Sequence, residues 1–154
     1  MIGLLRSFGY AFQGVAACLL GERNFRIHTL AGAMAIAMGA YYRLSGTQWA
    51  VLLLAIALVL CCEAVNTAVE AAVDLFSPGE HPLAKLAKDC AAGAVLLAAA
   101  GSVGVGFCLF GDLGSLFGFF SLWVASPARA VGSALLLSLC LLYVFCPPWW
   151  AKKR

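Results

Sequence analysis

The chain has 154 residues, of which 64% are hydrophobic and only 11% charged, with a formal net charge of +3 and a mean hydropathy of +0.97. A soluble domain covers its surface with about 25% charged residues, so this composition excludes an ordinary cytosolic enzyme, a disordered chain and a nucleic-acid binder. What remains is an all-α integral membrane protein, in which the position of each charge matters more than their sum.

Residues 1–20 are unevenly apolar. Gly3, Arg6, Ser7, Tyr10, Gln13 and Gly14 recur at helical spacing and leave Ile2, Leu5, Phe8, Phe12, Val15 and Leu19 on the other side. This pattern predicts an amphipathic helix lying on the membrane surface. Val15-Ala16-Ala17-Cys18 resembles a lipoprotein cleavage site, but Gln13 and Gly14 interrupt the apolar core that a secretory signal needs. A polar hinge, Glu22 to His28, leads to a first span over about 29–42. Tyr41, Tyr42 and Trp49 bracket the following turn, as interfacial aromatics do.

A second apolar helix is expected over 48–76. At 1.5 Å per residue it measures about 43 Å, against a hydrocarbon core of about 30 Å, so one end projects. The projecting end carries Glu63, Asn66, Glu70 and Asp74. Two prolines and a glycine within Ser77 to Pro82 break the chain, and a third span follows over 83–110. Residues 112–126 hold an aromatic stretch of interfacial or re-entrant character. Pro127 precedes a fourth span over 128–145, with Trp149 and Trp150 at its end.

Four spans place both termini on one side, with Arg6, Arg23, Arg26, Lys85, Lys88, Lys152, Lys153 and Arg154. Only Arg43 and Arg129 fall on the other. The excess of basic residues makes the first side cytoplasmic. The seven cysteines show no CxxC spacing and read as small apolar filler.

At 100° per residue, Glu63, Asn66, Glu70 and Asp74 share an arc of about 80°. Glu63 follows an unbroken apolar run, Ala50 to Cys62. A carboxylate this close to hydrocarbon is costly and marks a functional site. On the next helix Lys85, Lys88 and Asp89 form a matching stripe beside the acids. Neutralisation of those acids is one use for the lysines. Another is to hold a metal–polyphosphate, since magnesium is commonly bound by one or two carboxylates plus substrate phosphates.

The run Glu63-Ala64-Val65-Asn66-Thr67-Ala68-Val69-Glu70-Ala71-Ala72-Val73-Asp74 resembles the signature helix of the small prokaryotic diacylglycerol kinase family. So does His81-Pro82-Leu83-Ala84-Lys85-Leu86-Ala87-Lys88-Asp89, and Glu22-Arg23-Asn24-Phe25-Arg26 resembles the family's segment before the first span. The resemblance covers roughly residues 1–110. It implies a homotrimer with a surface helix and three spans per protomer, and ATP-dependent phosphorylation of a lipid alcohol in the bacterial inner membrane. It also implies sites shared between protomers. On matching positions Glu63 is the implied catalytic base, and Glu22 and Glu70 the implied Mg2+ pair. Asn66 and Lys88 would position the triphosphate. Asp74, His81, Lys85 and Asp89 would line the nucleotide side, flanked by Phe25 and Arg26. Gln13 is a candidate lipid contact.

Asn66-Thr67, Asp74-Leu75 and the 81–88 run resemble the undecaprenol kinase branch, with diacylglycerol as the alternative substrate. The tail after Gly111 departs from the family. It has no histidine and too few polar residues for the lipid-phosphatase domain that some relatives carry. Residues 1–111 thus read as a kinase unit and 112–154 as an extension dispensable for chemistry. A competing class is a small ion- or proton-handling membrane protein. A proton relay would spread ionisable groups through the bilayer, whereas here they gather at one end. A purely structural bundle has no reason to bury Glu63.

Overall fold

The computed structural model describes residues 2–77, 79 and 81–146, and among them every regular element is an α-helix. Glu80 and the expected interfacial end of the tail, Trp149 to Arg154, lie outside the described residues. In chain order the helices are α1 (Ile2–Gly21), α2 (Arg23–Tyr41), α3 (Gly46–Phe76), α4 (Pro82–Phe110), α5 (Leu113–Val124) and α6 (Pro127–Phe145).

The boundaries follow local chemistry. The helix expected from residue 48 begins at Gly46, because Ser45 and Gln48 form a reciprocal capping box. Arg43, at φ 53°, turns the chain from α2 into α3. α4 starts on Pro82, behind a His81 cap that accepts the Leu83 amide through Nδ1 at 3.2 Å. Ser126 and Pro127 start α6 in the same way.

One expectation changes. The polar hinge of 22–28 is absorbed into α2, and the break narrows to Glu22, the one extended residue between α1 and α2. The aromatic stretch after Asp112 is a regular helix, α5, whose first turn is capped by the Asp112 carboxylate at 2.9 Å from the Ser115 amide.

Four helices are long and apolar enough to cross a bilayer: Gly3–Gly21, Gly46–Phe76, Pro82–Phe110 and Pro127–Phe145. The set differs from the expected one at the N-terminus. It includes α1, read from the sequence as a surface helix. It omits α2, whose first turns hold Arg23, Asn24, Arg26 and His28. With 31 residues, α3 measures about 46 Å and overshoots the hydrocarbon core.

α3 and α4 form the most extensive helix pair, and α2 lies against α3. The α2–α3 approach is close: a Cβ on Gly32 would stand 2.9 Å from the Ile56 side chain, and one on Gly39 3.0 Å from Trp49. α6 returns along α2, after α5 has packed by Tyr41. Large apolar side chains stay outside, among them Leu54, Leu97 and Phe107 at 74–76% exposure. In water that surface would be untenable, whereas hydrocarbon accepts it and the helices satisfy their own backbone. The cysteines are unpaired and scattered, with only Cys18 buried.

Candidate active site

The sequence-predicted residues divide into three groups. The first surrounds Glu63, which α3 carries at 3% exposure. Nε2 of His28, on α2, stands 3.3 Å from Oε1 of Glu63. One turn further along α3, Thr67 returns its hydroxyl to the Glu63 carbonyl at 3.1 Å. Asn66 donates from Nδ2 to Oε1 of Glu70 at 2.9 Å. That bond fixes the amide and leaves the buried Asn66 Oδ1 without a partner. Glu22, in the α1–α2 break, and Glu70 both lie within electrostatic range of Glu63. Glu63 thus shares its electrostatic surroundings with a carboxylate from the α1–α2 break and one from its own helix.

The second group lines a polar cleft of about 830 Å³ between the end of α3 and the start of α4. Asp74, His81, Lys85, Lys88 and Asp89 all face it, and the volume is that of a small-molecule site. Lys88 pairs with Asp74 across the cleft. Both are solvated, so the pair contributes little to stability and its charges remain free to exchange partners. Lys85 has no ion pair among the described residues.

The third group is placed differently from its implied role. Phe25 and Arg26 are buried, at 5% and 3% exposure. Every guanidinium nitrogen of Arg26 is spent on a carbonyl. Nε and Nη2 reach Val144 O at 3.2 and 3.0 Å, and Nη1 reaches Leu19 O and Leu20 O at 3.2 and 3.0 Å. Arg26 therefore ties together the C-terminal ends of α1 and α6, where a cation is favoured by both helix dipoles. Gln13 is exposed on α1.

Sequence reasoning missed His28. It was grouped with the hinge, and nothing near it in the sequence names Glu63 as its partner. An apolar groove of about 390 Å³ runs from His28 between α2, α3 and α4, lined by Met34, Ile56, Val59, Val103 and Phe110 among others.

The donor set fits a hard divalent cation. Glu22, Glu70 and the orphaned Asn66 oxygen are oxygen ligands of the kind magnesium takes. No group of three or more His, Cys, Asp or Glu side chains is placed to hold a metal ion among the described residues.

A buried acid midway along a long apolar helix, with a polar, lysine-bearing cleft at that helix's far end, is the arrangement of a membrane enzyme that handles an anionic co-substrate. Comparison with known proteins gives the family. The model of prokaryotic diacylglycerol kinase matches residues 9–110, and the chain belongs to that family of lipid kinases. It is 50% identical over 107 residues to the diacylglycerol kinase of Synechocystis sp., covering 69% of this chain and 61% of that protein. To the undecaprenol kinase of Bacillus subtilis it is 39% identical over 105 residues, covering 68% of this chain and 85% of that protein. To the diacylglycerol kinase of Escherichia coli K12 it is 30% identical over 95 residues, covering 62% and 78%. The chain thus spans less than two thirds of the Synechocystis relative's length.

Proposed function

We infer that the protein phosphorylates a membrane lipid alcohol with ATP at the cytoplasmic face of the bacterial inner membrane, and that the alcohol is undecaprenol. The observation that carries the reading is the buried Glu63 on the stretch of α3 between Val59, which lines the apolar groove, and Val73, which lines the polar cleft. A lipid hydroxyl arriving along the groove and a nucleotide held by the cleft would meet along that stretch.

Glu63 takes the proton of the alcohol as its oxygen attacks the γ-phosphorus. The bond from that phosphorus to the β–γ bridging oxygen breaks, and ADP leaves. Lys85 and Lys88 carry the cationic charge of the cleft, and Lys88 exchanges Asp74 for phosphate. Glu22, Glu70 and Asn66 would hold a magnesium ion, which would offset the charge on the phosphates.

Undecaprenol is favoured because hydroxyl donors beside the base are already spent. Thr67 bonds the Glu63 carbonyl, and Ser102 in the groove bonds Ala55 O and Ala98 O. The two ester carbonyls of a diacylglycerol would go unpaired at a cost, while a bare primary alcohol on one chain needs no such partners. Diacylglycerol is the second reading, supported by the name of the Synechocystis relative and by Gln13, a free amide on α1. Assays of the purified protein with radiolabelled ATP, giving each lipid in one detergent, test both. A higher kcat/KM for diacylglycerol replaces the substrate and keeps the kinase.

The reading carries the rest of the family's organisation: residues 1–111 as the kinase unit, α1 on the membrane surface, cytoplasmic termini, and a homotrimer with shared sites. Light scattering on the detergent-solubilised protein checks the trimer. Reporter fusions at the C-terminus, active only in the cytoplasm, check the topology.

A further inference from the structure

Glu63 is buried on α3, and its one side-chain partner among the described residues comes from another helix. We propose that His28 is the positioning residue of the phosphoryl transfer: it holds Glu63 Oε1 through Nε2 and thereby presents Oε2 to the lipid hydroxyl. The proposal rests on the kinase reading and deepens it.

Three observations carry it. First, the contact is 3.3 Å, with side-chain exposures of 26% for His28 and 4% for Glu63. An ionised carboxylate so enclosed attracts Nε2 only when that nitrogen bears hydrogen, so the imidazole is a donor there. A carboxylate held by one oxygen loses the rotation that would otherwise scatter its other oxygen, which a base must avoid. Second, α2 and α3 are held at a spacing that makes the contact available. Gly32, one turn beyond His28, lies so close to α3 that its missing Cβ would stand 2.9 Å from Ile56. Third, His28 also lines the apolar groove between α2, α3 and α4. One side chain thus touches the base and the space in which a hydrocarbon chain can lie. During transfer the alcohol proton passes to Oε2 of Glu63. His28 keeps its own proton throughout, so the step balances without a further acid or base.

A structural role, offsetting the burial of Glu63, predicts something different. It would lower stability and leave turnover per folded molecule alone. The test uses the full chain in detergent micelles containing the lipid alcohol, with His28→Ala and His28→Gln beside the wild type. Thermal unfolding selects preparations that are folded, and binding of a fluorescent ATP analogue reports the nucleotide site. Loss of a hydrogen bond that orients a functional ligand typically costs about 10–100-fold. The expected result is a kcat lowered by that factor in His28→Ala, with lipid KM and nucleotide affinity within about twofold of wild type. His28→Gln, whose amide also donates from Nε2, should recover most of the loss. An unchanged kcat in folded His28→Ala would overturn the proposal, as would Gln failing where Ala fails. If the wild type phosphorylates no lipid alcohol at all, the kinase reading falls first and takes the assignment with it.

Discussion

The family-matched region, residues 9–110, and the extension that follows it use polar groups in opposite ways. The first buries Glu63 against His28, with Glu22 and Glu70 in electrostatic range and Asn66 bonded to Glu70. The described part of the extension, to residue 146, brings no side chain to that cluster. Its hydroxyls turn back on its own backbone: Ser121 to Gly118 O, Ser133 to Trp123 O and Arg129 O, and Ser138 to Ala134 O. To the first region it supplies the Phe119 ring, against Tyr41, and two main-chain carbonyls, Asp112 O to the Tyr42 hydroxyl and Val144 O to the buried Arg26. Side chains in one region are arranged for chemistry. In the other, an aromatic ring and backbone carbonyls are arranged to hold the first in place.

The largest effect should come from the acids. Glu63→Gln keeps the volume and removes the base, so kcat should fall by about 10²–10⁴-fold with ATP affinity largely retained. Glu70→Ala should abolish metal-dependent nucleotide binding as well as turnover. Equal loss of nucleotide binding in both variants would reverse these roles, and binding measurements across a magnesium titration separate them.

Next comes the joint between the two regions. A chain ending at Gly111 keeps every member of the Glu63 cluster and should still phosphorylate lipid. It leaves Nε and Nη2 of Arg26 without acceptors, a loss of about 1.5–3 kcal/mol in stability for hydrogen bonds to a charged group. In a double-mutant cycle, Arg26→Ala should then cost less in the short chain than in the long one. Additive costs would show that the extension is held by apolar packing alone.

A smaller effect should attend Gly32→Ala. The added Cβ meets Ile56 and forces α2 away from α3, at about 1–3 kcal/mol for overpacking. Turnover should drop along with stability, because the same displacement draws His28 from Glu63. Turnover unaffected in the folded variant would separate the packing contact from the site.

The smallest effect concerns pH. The Ser115 hydroxyl, with the Ser115 and Gly114 amides, holds the exposed Asp112 carboxyl below its usual range. A depressed carboxylate contributes stability that is present above its unfolded value of about 3.9 and is lost as pH falls through the folded one. Between about pH 5 and pH 3 the Tm of the wild type should therefore fall further than that of Asp112→Asn, whose amide caps α5 at any pH. Parallel curves would remove the cap from the account of α5.

The sequence made some of this legible and hid the rest for identifiable reasons. Helix number and most boundaries follow from breakers and caps such as Ser45, Pro82 and Pro127, which act within a few residues of themselves. The Glu63–Asn66–Glu70 face follows from helical period alone. The status of α1 and α2 was harder to read. Arg6 and Gln13 in α1, and the polar first turns of α2, put both near the limit between lying on a bilayer and crossing it. His28–Glu63 depends on how far two helices slide along each other, which is settled by packing at Gly32. Arg26–Val144 left no signal, because its acceptor is a carbonyl and every residue has one.

That contact has a consequence for how the protein is made. Arg26 and Val144 are separated by 118 positions. At a synthesis rate of about 5–20 residues per second, the arginine waits roughly 6–24 seconds before its acceptor exists. Over that interval its charge must be satisfied by water or lipid phosphate, and the α1–α2 break cannot take its final form. α6 therefore completes the assembly of α1 and α2. A ribosome-stalled chain lacking α6 should show α1 and α2 still unlocked, although every acid of the site has already been made.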